Sequence, residues 1–135
     1  MSTWLYQMSE KRWSREEFLD AIREKRRVEW VHGKVKGNGA PGAGDAIILF
    51  YAPTDAKAPG ICGRGFIERF DPRRETITFR VLPPTNRLQR DPWWDRKMKK
   101  LADDIRGVPR ATMFSVDRKQ AKALRLGIEH WLRKQ

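Results

Sequence analysis

Three stretches carry residue types that could do chemistry. Gly37, Gly39 and Gly42 in "GNGAPGAGD" match G-x-G-x-x-G, the pattern that lays a dinucleotide pyrophosphate against backbone N–H groups. A working copy follows a strand and opens a helix, whose N-terminus holds the phosphates. Here Pro41 falls inside the pattern and "DAIILFYA" after it is strand-like. The expectation is therefore a tight turn with positive φ at glycines, feeding Gly44-Asp45 into a buried strand, and no nucleotide cofactor. Cys62, flanked by Gly60 and Gly63, could be a nucleophile, but a lone Cys in a strand is expected to be a small buried hydrophobe. The third stretch is "VEWVHGKV". In a strand, side chains repeat every two residues, so Trp30, His32 and Lys34 would share one face. Such a trio is poor core material.

Other catalytic signals are scarce. His32 and His130 are far apart, no His or Cys pair has metal-ligand spacing, and none of the four serines sits in G-x-S-x-G. No metal, no cofactor and no enzyme activity are expected. A single cysteine excludes an internal disulfide.

Charge points to a partner. The chain has 29 Lys and Arg against 17 Asp and Glu, a net +12, which suits an anionic partner such as nucleic acid. The alternative is an incidentally basic protein. The distribution is uneven: residues 86–135 carry net +8, the remainder net +4. The N-terminal residues lack the basic and apolar regions of a signal peptide, and the longest apolar run, 46–52, is too short to cross a bilayer. A cytoplasmic protein without membrane contact is expected.

These residues must be positioned by short elements within one domain, 1–135. Residues 3–8 read as a strand. Ser14 with Glu17 three positions on forms a capping box for a helix with Phe18, Leu19 and Ile22 on its apolar side, ending in the basic run 25–27. Strands are expected at 28–35 and 46–52, the latter apolar on both faces. Residues 60–70 and 75–82 should pair as a hairpin across Asp71-Pro72, with Gly63 and Gly65 marking a bend or a close approach. Asp91, Pro92 and Gly107 predict a helix over 91–107 with Trp94, Met98, Leu101 and Ile105 inward. A last strand at 111–116 leads to Asp117, which caps a helix over 118–133 with Ala121, Leu124, Ile128 and Trp131 inward. The fold class is α+β: a small, mixed β pseudo-barrel flanked by two or three short helices.

The order of motifs resembles EVE domains of the PUA-like superfamily. "TWLYQMSEKRWS" places Trp13-Ser14 nine residues after Trp4, as that family does, ahead of a short helix. "AGDAIILFYAP" is similar to its Gly-Asp turn into an apolar strand, and "APGICGRGFIERF" to its Pro-Gly-Ile strand. "EWVHGK" sits where the family places a Trp-containing segment. The resemblance spans roughly residues 4–131. It departs at Met8-Ser9, which lack the family's following Pro, and in the shortened "WVHGKVKGNGAPGAGD". It implies a PUA-like pseudo-barrel that binds DNA or RNA by taking a flipped-out, modified base into an aromatic pocket.

The base-pocket candidates are Trp30, His32, Lys34, Tyr51, Trp4 and Ser9. Trp30 is either the pocket wall or a core Trp; Tyr51 either offers its hydroxyl at the rim or is partly buried; Trp4 sides with the core. For the nucleic-acid backbone the candidates are Arg87, Arg90, Trp93, Lys97, Lys100, Arg118, Lys122 and Arg125. In a helix over 91–107, Trp93 would stand with Lys97 and Lys100 and could stack on a base, or merely cover a lysine stem. Arg118, Lys122 and Arg125 form a stripe that either contacts phosphate or is a solvated face. Two other functions fit less well: an RNA-binding module without a base pocket, and a small-molecule or nucleotide-processing enzyme on the same scaffold.

Overall fold

The computed structural model describes residues 1–134 except 10, 12–13, 25–26, 38, 54–55 and 108–110. Trp13, Lys25, Arg26 and Asn38, used above, lie outside the described residues. In chain order the elements are β1 (Thr3–Met8), α1 (Arg15–Arg23), β2 (Val28–Val31), β3 (Val35–Lys36), β4 (Ala46–Tyr51), β5 (Gly60–Asp71), β6 (Thr76–Leu82), α2 (Thr85–Arg90), α3 (Arg96–Arg106), β7 (Met113–Val116) and α4 (Arg118–Arg133). The strands form one seven-stranded sheet in the order β2-β6-β5-β4-β1-β7-β3, with β1–β4 and β3–β7 parallel.

That order forces the sheet to curl. Its two edge strands, β2 and β3, are joined by residues 32–34 alone. Four residue steps reach at most ~14 Å, whereas six strand spacings in a flat sheet would separate the edges by ~29 Å. Contacts across the interior agree. The Tyr6 hydroxyl on β1 donates to the Val31 carbonyl on β2 at 2.8 Å, and the Tyr6 and Phe79 rings stand 6.2 Å apart, although β1 is far from β2 and β6 in the sheet order.

Alternation along β1 and β4 feeds two cores. Trp4, Tyr6, Met8, Ile47, Leu49 and Tyr51 point into the curl, where α1 adds Phe18 and Ala21. Leu5, Ile48 and Phe50 point outward, under Met98 and Ala102 of α3 and Leu124 and Ile128 of α4. This is why "AIILFY" is apolar on both faces. Cys62 is buried in the inner core.

Side chains cap three of the helices, Ser14 and Asp117 where the sequence predicts a cap. Ser14 Oγ accepts from Glu17 N, Asp95 Oδ1 accepts from Met98 N at 2.8 Å, and Asp117 and Gln120 make a reciprocal capping box. At the hairpin, Asp71 Oδ1 accepts from the backbone N–H groups of Arg73 and Arg74. Gly63 and Gly65 do mark close approaches: a Cβ would lie 2.6 Å from Thr85 Cγ2 and 1.9 Å from the Arg80 carbonyl oxygen, respectively.

Four expectations are corrected. Among the described residues there are four helices, because Thr85–Arg90 forms α2, whose buried apolar residue is Leu88. The 28–35 strand breaks at Gly33, whose φ is +62° and whose missing Cβ leaves room for the Thr112 hydroxyl. The 91–107 helix starts only at Arg96, since Asp95 and not Asp91 is its cap. In α1, Ala21 is buried while Leu19 and Ile22 are half-buried.

Candidate nucleic-acid interface

Residues 32–34 close the seam of the pseudo-barrel, and backbone groups stitch them to both edges. His32 N donates to the Glu75 carbonyl at 2.9 Å, on the β6 side. On the β7 side, Thr112 Oγ1 donates to the His32 carbonyl, and Thr112 N to the Lys34 carbonyl at 2.9 Å. The strand face assumed for Trp30, His32 and Lys34 is therefore interrupted. Trp30 is half-buried on the edge strand β2, packed against the inner core. Lys34 is exposed, whereas His32 is only 6% exposed and packs on Phe70, ring centroids 4.5 Å apart. His32 Nδ1 lies 2.6 Å from the Gly33 carbonyl, which can only accept, so Nδ1 carries the proton. Nε2 is buried and has no hydrogen-bond partner among the described residues.

The other base-pocket candidates do not join this group. Trp4 is fully buried and its indole N–H donates to Asp45 Oδ2 at 3.1 Å, so neither its ring nor its polar atom is offered to a ligand. Tyr51 is likewise fully buried, not at a rim: Phe18 meets its ring edge-on and the Arg15 guanidinium lies 4.6 Å over it. Ser9 is half-buried just past the end of β1.

Trp93 is the plainest correction among the backbone candidates. It precedes α3, pairs with Ile61 through two backbone hydrogen bonds of 3.0 Å, and is 2% exposed. It therefore does not stand with Lys97 and Lys100, which are exposed on α3. Arg87 is exposed on α2 but its Nη2 donates to the Leu132 carbonyl at 2.8 Å, tying α2 to the end of α4; Arg90 is exposed.

The stripe on α4 has a setting that the sequence did not give. Arg118, Lys122 and Arg125 form one wall of a cleft of about 570 Å³ between α4 and the outer face of the sheet. Arg64 on β5 lines it from the sheet side, and Ile48, Leu82, Ile128 and half-buried Phe66 supply apolar lining. Among the described residues no carboxylate lines the cleft or pairs with any of the four cations. Arg64 could have been suspected from its place two residues before Phe66 in a strand; its partnership with α4 depends on tertiary packing.

Two structural residues were also missed. Asp45 ties the start of the chain to the glycine turn: besides Trp4 it accepts from Ser2 N at 3.0 Å and Gly42 N at 2.9 Å. Arg15 donates to the carbonyls of Gln89 and Ala58, fastening α1 to α2 and to the loop before β5. The glycine segment itself turns with positive φ at Gly37, Gly39 and Gly44 and enters β4, so no helix N-terminus follows it.

This architecture is known from solved structures. A hypothetical protein from Leishmania major matches with a TM-score of 0.57 and 16% identity, covering 97% of each chain. A Pseudomonas syringae protein matches with a TM-score of 0.53 and 15% identity, over 93% of this chain and 99% of that one. The chain shares with these proteins, over nearly its whole length, a curled mixed-sheet pseudo-barrel, the fold that the resemblance to EVE domains implies. Human THYN1, solved in complex with 5-methylcytosine-containing DNA, shares that fold at a TM-score of 0.50 and 14% identity, over 94% of this chain and 98% of its own. At these identities the likeness is one of fold. No protein-family model matches the sequence, and no curated protein does.

Proposed function

We propose that this chain is a nucleic-acid-binding module, not an enzyme, and that it reads a modified base held out of the stack beside Trp30. The observation that carries this reading is the fold shared, over nearly the whole chain, with human THYN1 in complex with 5-methylcytosine-containing DNA. The net +12 charge supports an anionic partner. An extruded base needs an aromatic face and edge hydrogen bonds; at the seam, Trp30 offers a half-exposed ring.

The test is a binding panel of short DNA and RNA oligonucleotides, unmodified and base-modified, 5-methylcytosine included, at two salt concentrations. One modified base should bind more tightly than its unmodified counterpart. Trp30→Ala should abolish that preference and cost ~1–3 kcal/mol with the preferred ligand, the scale of one lost stack. A folded variant that keeps full discrimination removes Trp30 from the site, and a panel without any preference removes the modified-base reading. A second reading, a general nucleic-acid binder without a base pocket, is favoured by the burial of Trp4 and Tyr51. It predicts salt-dependent binding to every oligonucleotide alike.

A further inference from the structure

The α4 cleft holds chemistry that the modified-base reading does not use. None of the seam residues 30–34 lines it. Its volume of about 570 Å³ falls within the ~300–1,000 Å³ of small-ligand sites. Arg118, Lys122 and Arg125 follow at i, i+4 and i+7, so they stack along one side of α4. Alone, that stripe would be an ordinary solvated face. Arg64, however, comes from the sheet side, so cations of two separate elements converge on one concavity without a carboxylate among its described lining. Like charges brought together repel, and an anion bound between them relieves the repulsion.

The rest of the lining narrows the ligand. A single carboxylate would answer only part of this charge, whereas a phosphate presents more charge and several acceptor oxygens to guanidinium donors. Inorganic phosphate would leave the apolar lining of Ile48, Leu82 and Ile128 wet. Phe66 is half-buried at the same place and can take a planar ring, as can a guanidinium face.

We propose that this cleft seats one phosphorylated nucleoside, its ring against Phe66 and the aliphatic lining and its phosphate among Arg64, Arg118, Lys122 and Arg125. The same chemistry comes from a free nucleotide or from one unit of a nucleic-acid strand. The inference stands on the cleft and does not rest on the modified-base reading.

Calorimetric titration of the full chain with adenosine monophosphate and diphosphate, adenosine, inorganic pyrophosphate and an unmodified single-stranded oligonucleotide tests it. Saturable binding of the mononucleotides identifies a free ligand as the source; binding of the oligonucleotide alone identifies the strand. In either case the Lys122→Ala, Arg125→Ala double variant should weaken binding about tenfold or more, the scale of lost charge-assisted hydrogen bonds. Phe66→Ala should weaken the nucleotide-bearing probe but leave pyrophosphate unchanged. Both α4 positions are exposed and Ala favours helix, so the double variant should melt as the parent does; Lys122→Gln, Arg125→Gln repeats the measurement with longer side chains. The proposal is overturned if no phosphorylated probe is weakened by either α4 variant, or if pyrophosphate binds as tightly as the nucleotides. Because Trp30→Ala leaves this cleft intact, loss of base preference there and loss of nucleotide binding here are separate outcomes.

Discussion

A carboxylate ringed by N–H donors is favoured in its ionised form, and Asp45 accepts from Ser2 N, Gly42 N and the Trp4 indole. Burial pushes its carboxyl up, but those three hydrogen bonds, with the amino-terminal charge, bring it below the ordinary carboxylate value. Asp45 thus binds a proton less readily folded than unfolded. Its contribution to stability is complete above about pH 4, the unfolded carboxylate value, and is lost as pH falls through the lower folded value. Thermal melting should therefore be level in this respect from neutral pH to about pH 5 and decline below about pH 4. Asp45→Asn should lower stability at pH 7 by ~1–3 kcal/mol, because its amide N–H₂ would face donors and leave a buried N–H unpaired. It should also flatten the acid decline. A variant that melts like the parent at pH 7 and keeps the same acid profile would show that Asp45 is not this hub. The Gly-Asp pair was visible in the sequence as a turn into a strand; its reach to Ser2 and Trp4 was not, because β1 joins β4 only through a parallel pairing across the whole of α1, β2 and β3.

Elements defined by local pattern were legible, and those defined by what they pack against were not. The 46–51 strand and the 60–71/76–82 hairpin follow from apolar runs bounded by turn residues, and α4 from the cap Asp117 and a helical stripe. Residues 85–90 carry only one apolar side chain, Leu88, so no periodicity announces α2. Two Asp residues precede α3 four apart, and Pro92 favours the wrong one by the rule for first helical positions. What decides between them is Trp93, held by Ile61 and buried against α4. Gly127 lies in the middle of that helix, where Ala would raise helix propensity by ~1 kcal/mol. A Cβ there would lie 1.8 Å from Trp93 Cη2, however, and the ring is buried. Gly127→Ala should therefore destabilise by ~1–3 kcal/mol, the cost of overpacking, as read by denaturant unfolding. In a Trp93→Phe background the same substitution should cost less, a non-additivity expected of groups in contact. Equal costs in both backgrounds would mean that the helix moves to make room and the notch does not fix Trp93.

At the scale of the molecule, a curled sheet leaves its charge on the outside: the inner core is sealed by α1 and the seam, and the cations stand on the helices and strand faces around it. The excess is concentrated in residues 86–135, net +8, which build α3 and α4 and most of α2. Composition made that asymmetry plain, while the sheet order that puts α3 and α4 over one face could not be read from it. Neutralising phosphates with Lys and Arg releases condensed counterions, so log K for a nucleic acid should fall linearly with log salt. Each phosphate contact on duplex DNA contributes about 0.9 to that slope. Lys97 and Lys100 are exposed on α3, three residues apart, with no ion-pair partner among the described residues. The Lys97→Ala, Lys100→Ala variant should lower affinity for every duplex sequence alike and reduce the slope by up to about 1.8 if both lysines meet phosphate. Any preference for a modified base should be unchanged, because phosphate contacts position a nucleic acid without reading it. Binding measured by fluorescence anisotropy between about 50 and 200 mM salt resolves slopes of this size. An unchanged slope would remove α3 from the interface. A slope near zero for the parent protein would remove nucleic acid as the partner of this charge.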